Sequence, residues 1–121
     1  MMNRLISILV YVHICTAGVT AFAATPNCTG VDSYATNMAF VYLKNAGLTD
    51  NSQLDFASTK VVRLASEKIG KDLYRQVHQI TFVRNSGGTI DVITVNDASH
   101  QECSMSGVQV FVISARLGEG N

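Results

Sequence analysis

The chain has 121 residues, of which 47% are hydrophobic, and its nine basic and nine acidic side chains give a net charge of zero at neutral pH. A chain of this length makes one small domain with a modest core, so a deep enclosed site is not expected and no cofactor is predicted. The basic residues form no cluster, which argues against nucleic acids and anionic membrane surfaces as partners.

Residues 1–23 have the parts of a secretory signal peptide. Arg4 supplies the positive charge, residues 5–12 are largely apolar, and Ala21 and Ala23 are the small residues expected just before the cleavage site. The mature domain is therefore predicted to begin near residue 24, to have no membrane span, and to be periplasmic or secreted. A retained membrane anchor is the alternative, but no basic stop-transfer segment follows the apolar run.

Two cysteines, Cys28 and Cys103, remain after removal of the predicted signal peptide. In an oxidising compartment an even pair is best explained as one disulfide. Closing so long a loop would add about 4 kcal/mol of stability through the unfolded state. Free thiols or a metal site are weaker explanations. No metal is predicted, because Cys103 has no C-x-x-C motif and no pair of histidines close to it.

A helix is the first element expected after the cysteine-containing lead-in. Apolar residues at helical spacing follow the capping residues Asp32 and Ser33 and end near Ala46, just before a glycine. Residues 48–57 are expected to be a connection. Residues 58–69 fit either a helix or a strand, and the strand is favoured because a β-branched pair and turn residues lead into the next strand.

Three further strands are predicted over residues 73–84, 89–95 and 108–115, because apolar residues alternate along each of them. Residues 85–88 (NSGG) predict a hairpin turn between the first two, and residues 116–121 a frayed end. The predicted fold class is α+β, with an N-terminal helix packed on an antiparallel meander of three to four strands and one disulfide.

The segment of residues 96–107 (NDASHQECSMSG) is predicted to be a long loop and holds the densest set of reactive side chains. Such a loop is longer than a tight hairpin needs, and function tends to concentrate in long loops. Its candidate binding residues are Asp97, Ser99, His100 and Glu102.

Catalysis by this loop has weaker support. Asp97 could form a hydrolytic triad with a histidine (His78 or His100) and a serine (Ser99 or Ser104), but the chain has no G-x-S-x-G elbow and no S-x-x-K pair. His78, in the middle of a predicted strand, is expected to be partly buried and hydrogen-bonded. Asp72 and Arg75 are expected to form a surface ion pair. No catalytic residue is assigned.

Elimination favours a binding protein over an enzyme. The first hypothesis is a small bacterial periplasmic inhibitor or immunity-type module that blocks a hydrolase or a toxin through the 96–107 loop, since a pre-ordered loop loses little entropy on docking. A partner strand could instead join the edge of the sheet. The second hypothesis is a small periplasmic hydrolase that uses the Ser, His and Asp groups of the same loop. The third is a structural or accessory domain of the envelope.

Overall fold

The computed structural model describes residues 24–113. One helix precedes four strands: α1 (Tyr34–Asn45), β1 (Leu54–Gly70), β2 (Leu73–Arg84), β3 (Thr89–Ala98) and β4 (Gln109–Ile113). The strands form a single antiparallel sheet in the order β1-β2-β3-β4. The α+β prediction, a helix on an antiparallel meander, is therefore confirmed. The predicted signal peptide (1–23) and the predicted end of the last strand and tail (114–121) lie outside the described residues.

The helix begins and ends where local chemistry predicts. Ser33 caps the first turn, its side-chain oxygen accepting from the N–H of Thr36 at 3.4 Å. At the other end Gly47 adopts a left-handed φ of 73°. Its N–H donates to the carbonyl of Lys44 at 2.9 Å, which satisfies one of the last helical carbonyls. No helix within residues 24–113 is long and apolar enough to cross a membrane.

The ambiguous segment 58–69 is part of β1, as favoured, but β1 starts earlier than the sequence predicts. Its first residue is Leu54, opposite Arg84 on β2, so the prediction that residues 48–57 are entirely a connection is wrong. Pairing with the long β2 strand outweighs the polar local sequence. β1 keeps this pairing through three register shifts along its length.

β3 is also longer than the sequence predicts. It extends to Ala98 instead of ending at Val95, because Asn96 and Asp97 keep their pairing with β2. Polar side chains at the end of a strand conceal its continuation, since the backbone ladder does not depend on them. β4 is described from Gln109 and pairs with β3 alone.

The apolar core lies between α1 and one half of the inner sheet face, which we call the apolar half. It contains Ala35, Ala39, Leu43, Leu54, Ile80, Phe82, Ile90, Val92 and Val108. The fully buried Phe82 is at its centre. The ring centroid of Phe82 is 6.4 Å from that of Phe40 and 6.0 Å from that of Phe56. These separations are typical of favourable aromatic pairs, so the three rings anchor the helix on the sheet.

The other half of the inner face is polar. Gln76 and His78 on β2, with Thr94 and Asn96 on β3, are buried there and form what we call the polar half. The N-terminal segment (residues 24–29) lies against this half, and the Pro26 carbonyl accepts from Gln76 Nε2 at 2.8 Å. His78 is fully buried and has no hydrogen-bond partner among residues 24–113. The expectation that His78 is only partly buried is therefore wrong, and none of the described residues supplies the hydrogen bond that was expected of it.

Candidate functional site

The loop between β3 and β4 covers residues 99–108, and we call it the 99–108 loop. The predicted start at residue 96 is wrong, because Asn96 and Asp97 belong to β3. They alternate as strand residues do: Asn96 is buried on the inner face, whereas Asp97 is turned the other way. One candidate binding residue, Asp97, therefore stands at the foot of the loop and not within it.

Asp97 joins the sheet to the end of the loop. Arg75, its partner on β2, donates to both carboxylate oxygens, with Nε–Oδ1 at 2.9 Å and Nη2–Oδ2 at 3.3 Å. The N–H of Asp97 donates to Ser106 Oγ at 2.8 Å, and its carbonyl accepts from the N–H of Met105 at 3.0 Å. The expected pair between Asp72 and Arg75 is wrong, because Arg75 faces Asp97 across the two strands.

Ser99 closes the first turn of the loop. Its buried hydroxyl oxygen accepts from the N–H of Gln101 at 3.2 Å and from that of Glu102 at 3.1 Å. The hydroxyl proton is directed to the Glu102 carbonyl at 3.4 Å. Serine closes many tight turns in this way, by replacing a main-chain hydrogen bond. All the hydrogen-bonding capacity described for this side chain is thus used inside the turn.

His100 links three parts of the chain that are distant in sequence. Its Nδ1 contacts the carboxylate of Asp72, in the turn between β1 and β2, and its Nε2 contacts the carbonyl oxygen of Ala24. The N–H of His100 also donates to Asp72 Oδ1 at 3.1 Å. The ring stands edge-on to Tyr74, with centroids 5.4 Å apart. The loop, the turn and the N-terminal segment therefore meet at one imidazole.

Both ring nitrogens of His100 face acceptors, which favours the protonated imidazolium. The hydrogen bond to the Ala24 carbonyl, and after it the hydrogen bond to Asp72, raise the pKa of His100. The same contact with His100 lowers the pKa of Asp72. The two side chains are 44% and 43% exposed, so solvent screens their attraction. The contact is therefore a pH-sensitive link between elements and not a strong buried ion pair.

Three exposed residues of the loop whose side chains make no hydrogen bond outside it within residues 24–113, Gln101, Glu102 and Met105, form what we call the loop tip. All three residues are exposed, and Met105 is 47% exposed. Glu102 Oε1 accepts from Ser104 Oγ at 2.5 Å, which orients the carboxylate. A carboxylate, an amide and a flexible thioether on one exposed loop give a surface of mixed polar and apolar chemistry.

The predicted disulfide between Cys28 and Cys103 is confirmed. The two Cα atoms are 5.8 Å apart, and 75 sequence positions separate the residues. The carbonyl of Cys103 also accepts from Asn96 Nδ2 at 2.8 Å. The middle of the loop is thus bound covalently to the N-terminal segment and by a hydrogen bond to β3.

The residues considered for a hydrolytic triad do not come together. Ser99 and Ser104 bond to groups within the loop, while His100 contacts Asp72 and Ala24. His78 is fully buried in the polar half of the inner sheet face. Across residues 24–113 no hydrogen bond joins a serine hydroxyl to a histidine ring. Nor do those residues contain a group of three or more His, Cys, Asp or Glu side chains that could hold a metal ion.

Sequence reasoning missed the groups that hold the loop from outside it. Asp72 and Arg75 each bind a loop or loop-foot residue, and Asn96 binds the Cys103 carbonyl. The sequence of the strands contained a signal that could have located some of these groups. Gln76 and Asn96 occupy inward positions where alternation predicts apolar residues, and buried amides are found where a main chain must be held.

Among known proteins, neither a family model, nor a curated protein, nor a solved structure matches this chain. The geometry of the 99–108 loop and of the surfaces beside it is therefore the basis for any functional statement.

Proposed function

We propose that this protein is a small exported binding module of the inhibitor or immunity type, which blocks a hydrolase or a toxin through the 99–108 loop. The observation that carries the proposal is that the loop is fixed before any partner arrives. Ser99 closes its first turn, the Cys28–Cys103 bridge fixes its middle, and Asp97 holds its end. Docking a pre-ordered loop avoids most of the ordering cost of binding.

The four candidate binding residues take two different parts in this proposal. Asp97, Ser99 and His100 position the loop, since their polar atoms bond to other parts of the domain. Glu102 belongs to the exposed loop tip and would touch the partner directly. Met105 joins it there as an apolar contact. The hydrolase alternative has no comparable support, because Ser99, Ser104 and His100 are engaged with other groups and His78 is fully buried on the inner face of the sheet.

The test compares two double variants in binding to the partner. Glu102→Lys with Met105→Asp changes the charge and the polarity of the loop tip without touching the groups that fix the loop. Asn51→Lys with Ser86→Ala is the control, because both exposed side chains lie at the opposite end of the sheet and the change, like that at the loop tip, raises the net charge by about one unit. Candidate partners are envelope hydrolases and secreted toxins of the source organism, first captured with the oxidised protein and then purified.

We expect to capture one partner that binds in a fixed stoichiometry and whose activity falls on binding. The loop-tip variant should weaken the affinity at least a hundredfold, which is the scale of a residue pair at the centre of an interface, and the control should leave it unchanged. A partner that binds both variants equally would place the interface elsewhere. Loss of a hydrolytic activity of the protein itself in the loop-tip variant would favour the enzyme hypothesis.

A further inference from the structure

The polar half concentrates the unpaired polar atoms of the interior. Six buried side-chain polar atoms have no hydrogen-bond partner among residues 24–113, and five of them belong to the polar half. They are Gln76 Oε1, His78 Nδ1, His78 Nε2, Thr94 Oγ1 and Asn96 Oδ1. Because Gln76 is paired with Asn96 and His78 with Thr94 across β2 and β3, these atoms form one contiguous block.

Such a block needs a hydrogen-bonding partner. A buried polar group that loses its hydration without gaining a hydrogen bond is costly, so native interiors leave very few of them unpaired. Five in one place, on a sheet whose other buried groups are well paired, point to a bound species that supplies the missing hydrogen bonds.

The orientation of the two amides defines what this species must offer. Gln76 Nε2 donates to the Pro26 carbonyl at 2.8 Å and contacts Ser66 Oγ at 3.1 Å. Asn96 Nδ2 donates to the Cys103 carbonyl at 2.8 Å and to that of Asp97 at 3.3 Å. Since a carbonyl oxygen can only accept, neither amide can be flipped. Their oxygens are therefore unpaired acceptors.

The remaining groups make the site rich in acceptors and neutral. Burial lowers the pKa of His78, and the charge of Arg63 lowers it further, so the imidazole offers one N–H and one lone pair. Thr94 offers one hydroxyl proton. An anion would face the two amide oxygens, and a cation would meet the charge of Arg63, while none of the four side chains is a carboxylate. A neutral species that both donates and accepts fits all four side chains.

We propose that the polar half is an internal water site, in which at least one ordered water molecule donates to the oxygens of Gln76 and Asn96 and accepts from His78 or Thr94. A cleft of about 490 Å³ is lined by residues of the N-terminal segment and by Arg63. Arg63 is paired with His78 and donates to the Pro26 carbonyl that Gln76 also binds. Because the Pro26 carbonyl binds both Arg63 at the cleft and Gln76 in the polar half, this cleft is the side from which water would reach the site.

Two measurements on the purified, oxidised protein test the site. Magnetic relaxation dispersion of water oxygen-17 and deuterium counts water molecules that stay bound longer than the protein's rotational tumbling time. Thr94→Val keeps the side-chain volume and removes the hydroxyl, whereas Thr89→Val makes the same change at an exposed position of β3. A crystal structure at high resolution shows directly whether density lies between the four side chains.

We expect at least one long-lived water in the wild type and in Thr89→Val. In Thr94→Val the residence time should shorten about tenfold or the water should be lost. The crystal should show a peak about 2.7–3.2 Å from at least two of the five atoms. The proposal is overturned if the wild type has no long-lived water, or if Thr94→Val behaves as Thr89→Val does. Direct hydrogen bonds among the four side chains, with no density between them, would overturn it even if Thr94→Val did not fold.

Discussion

The same two strands present two chemistries on one face of the sheet. Toward the turn at residues 85–88, β2 and β3 contribute apolar side chains beneath α1. Toward the other end they contribute Gln76, His78, Thr94 and Asn96, and the N-terminal segment lies there instead of a helix. The inward alternation is unbroken along both strands, so the change is one of chemistry and not of backbone geometry.

The helix α1 covers the apolar half and the N-terminal segment covers the polar half, and different interactions hold these two covers on the sheet. A large apolar side chain contributes about 1.5–3 kcal/mol when it is fully buried, so α1 is held by its own packing. Covering polar side chains gives no such gain in free energy. The N-terminal segment is held instead by the Cys28–Cys103 bridge, by the Pro26 carbonyl and by the contact of Ala24 with His100. Its attachment should therefore respond to redox state and pH, while that of α1 should not.

The largest effect is expected in the apolar half. Phe82→Ala removes the fully buried ring that contacts Phe40 and Phe56 and should lower the free energy of unfolding by about 3–5 kcal/mol. Phe111→Ala is the control, because that ring is 55% exposed on the other side of the sheet. Urea unfolding measures both. Equal losses in the two variants would contradict the placement of the core.

The second effect concerns the cover of the polar half. Replacing both cysteines, Cys28→Ser with Cys103→Ser, should cost about 2–4 kcal/mol of unfolding free energy, because the closed loop is long. The NMR shifts of the Gln76 and Asn96 side-chain amides should move, whereas those around Phe82 should stay. Reduction of the wild type should reproduce both results. Shifts confined to the apolar half would refute the division into two covers.

A smaller loss is expected from Ser99→Ala. The substitution leaves the N–H groups of Gln101 and Glu102 without their acceptor in a partly buried turn, at a cost of about 1–2 kcal/mol. Ser86→Ala, in the exposed hairpin turn, should stay within about 0.5 kcal/mol of the wild type. Thermal or urea unfolding measures the stability of both variants. A stability of Ser99→Ala equal to that of the wild type would mean that the turn forms without the hydroxyl.

The smallest effect is a pH dependence. The pKa of His100 is raised from 6.5, so its contribution is fully present below pH 6.5 and is lost as the pH rises through the folded-state value. His100→Gln should therefore destabilise the protein more at pH 5 than at pH 8. His78, whose pKa is lowered, acts in the opposite direction in both proteins and cancels in the difference.

Asp72→Asn is the matched variant for this contact, since it removes the carboxylate that faces the same ring. It should show the same excess loss at pH 5. An NMR titration should place the midpoint of His100 above 6.5 in the wild type and lower in Asp72→Asn. A midpoint for His100 that is equal in the two proteins would show that the contact does not form in solution.

Local sequence patterns were sufficient for most of the secondary structure. Ser33 and Gly47 delimit the helix through capping and a left-handed turn, and alternation identified β2 as a strand. The Cys28–Cys103 bridge could also be predicted, because only these two of the three cysteines lie outside the predicted signal peptide. Helix capping, strand alternation and the cysteine pairing depend on neighbouring residues or on composition, and both can be read directly from the sequence.

Tertiary structure alone decided the ends of β1 and β3 and the surroundings of the loop. Leu54 and Ala98 belong to strands because a partner strand continues opposite them. His100 contacts Ala24 across 76 sequence positions and Asp72 across 28. No local sequence pattern encodes such contacts between distant segments. Ladder pairing and side-chain contacts between distant segments are fixed only when the whole sheet closes, so the fold class was readable from the sequence and the arrangement of the site was not.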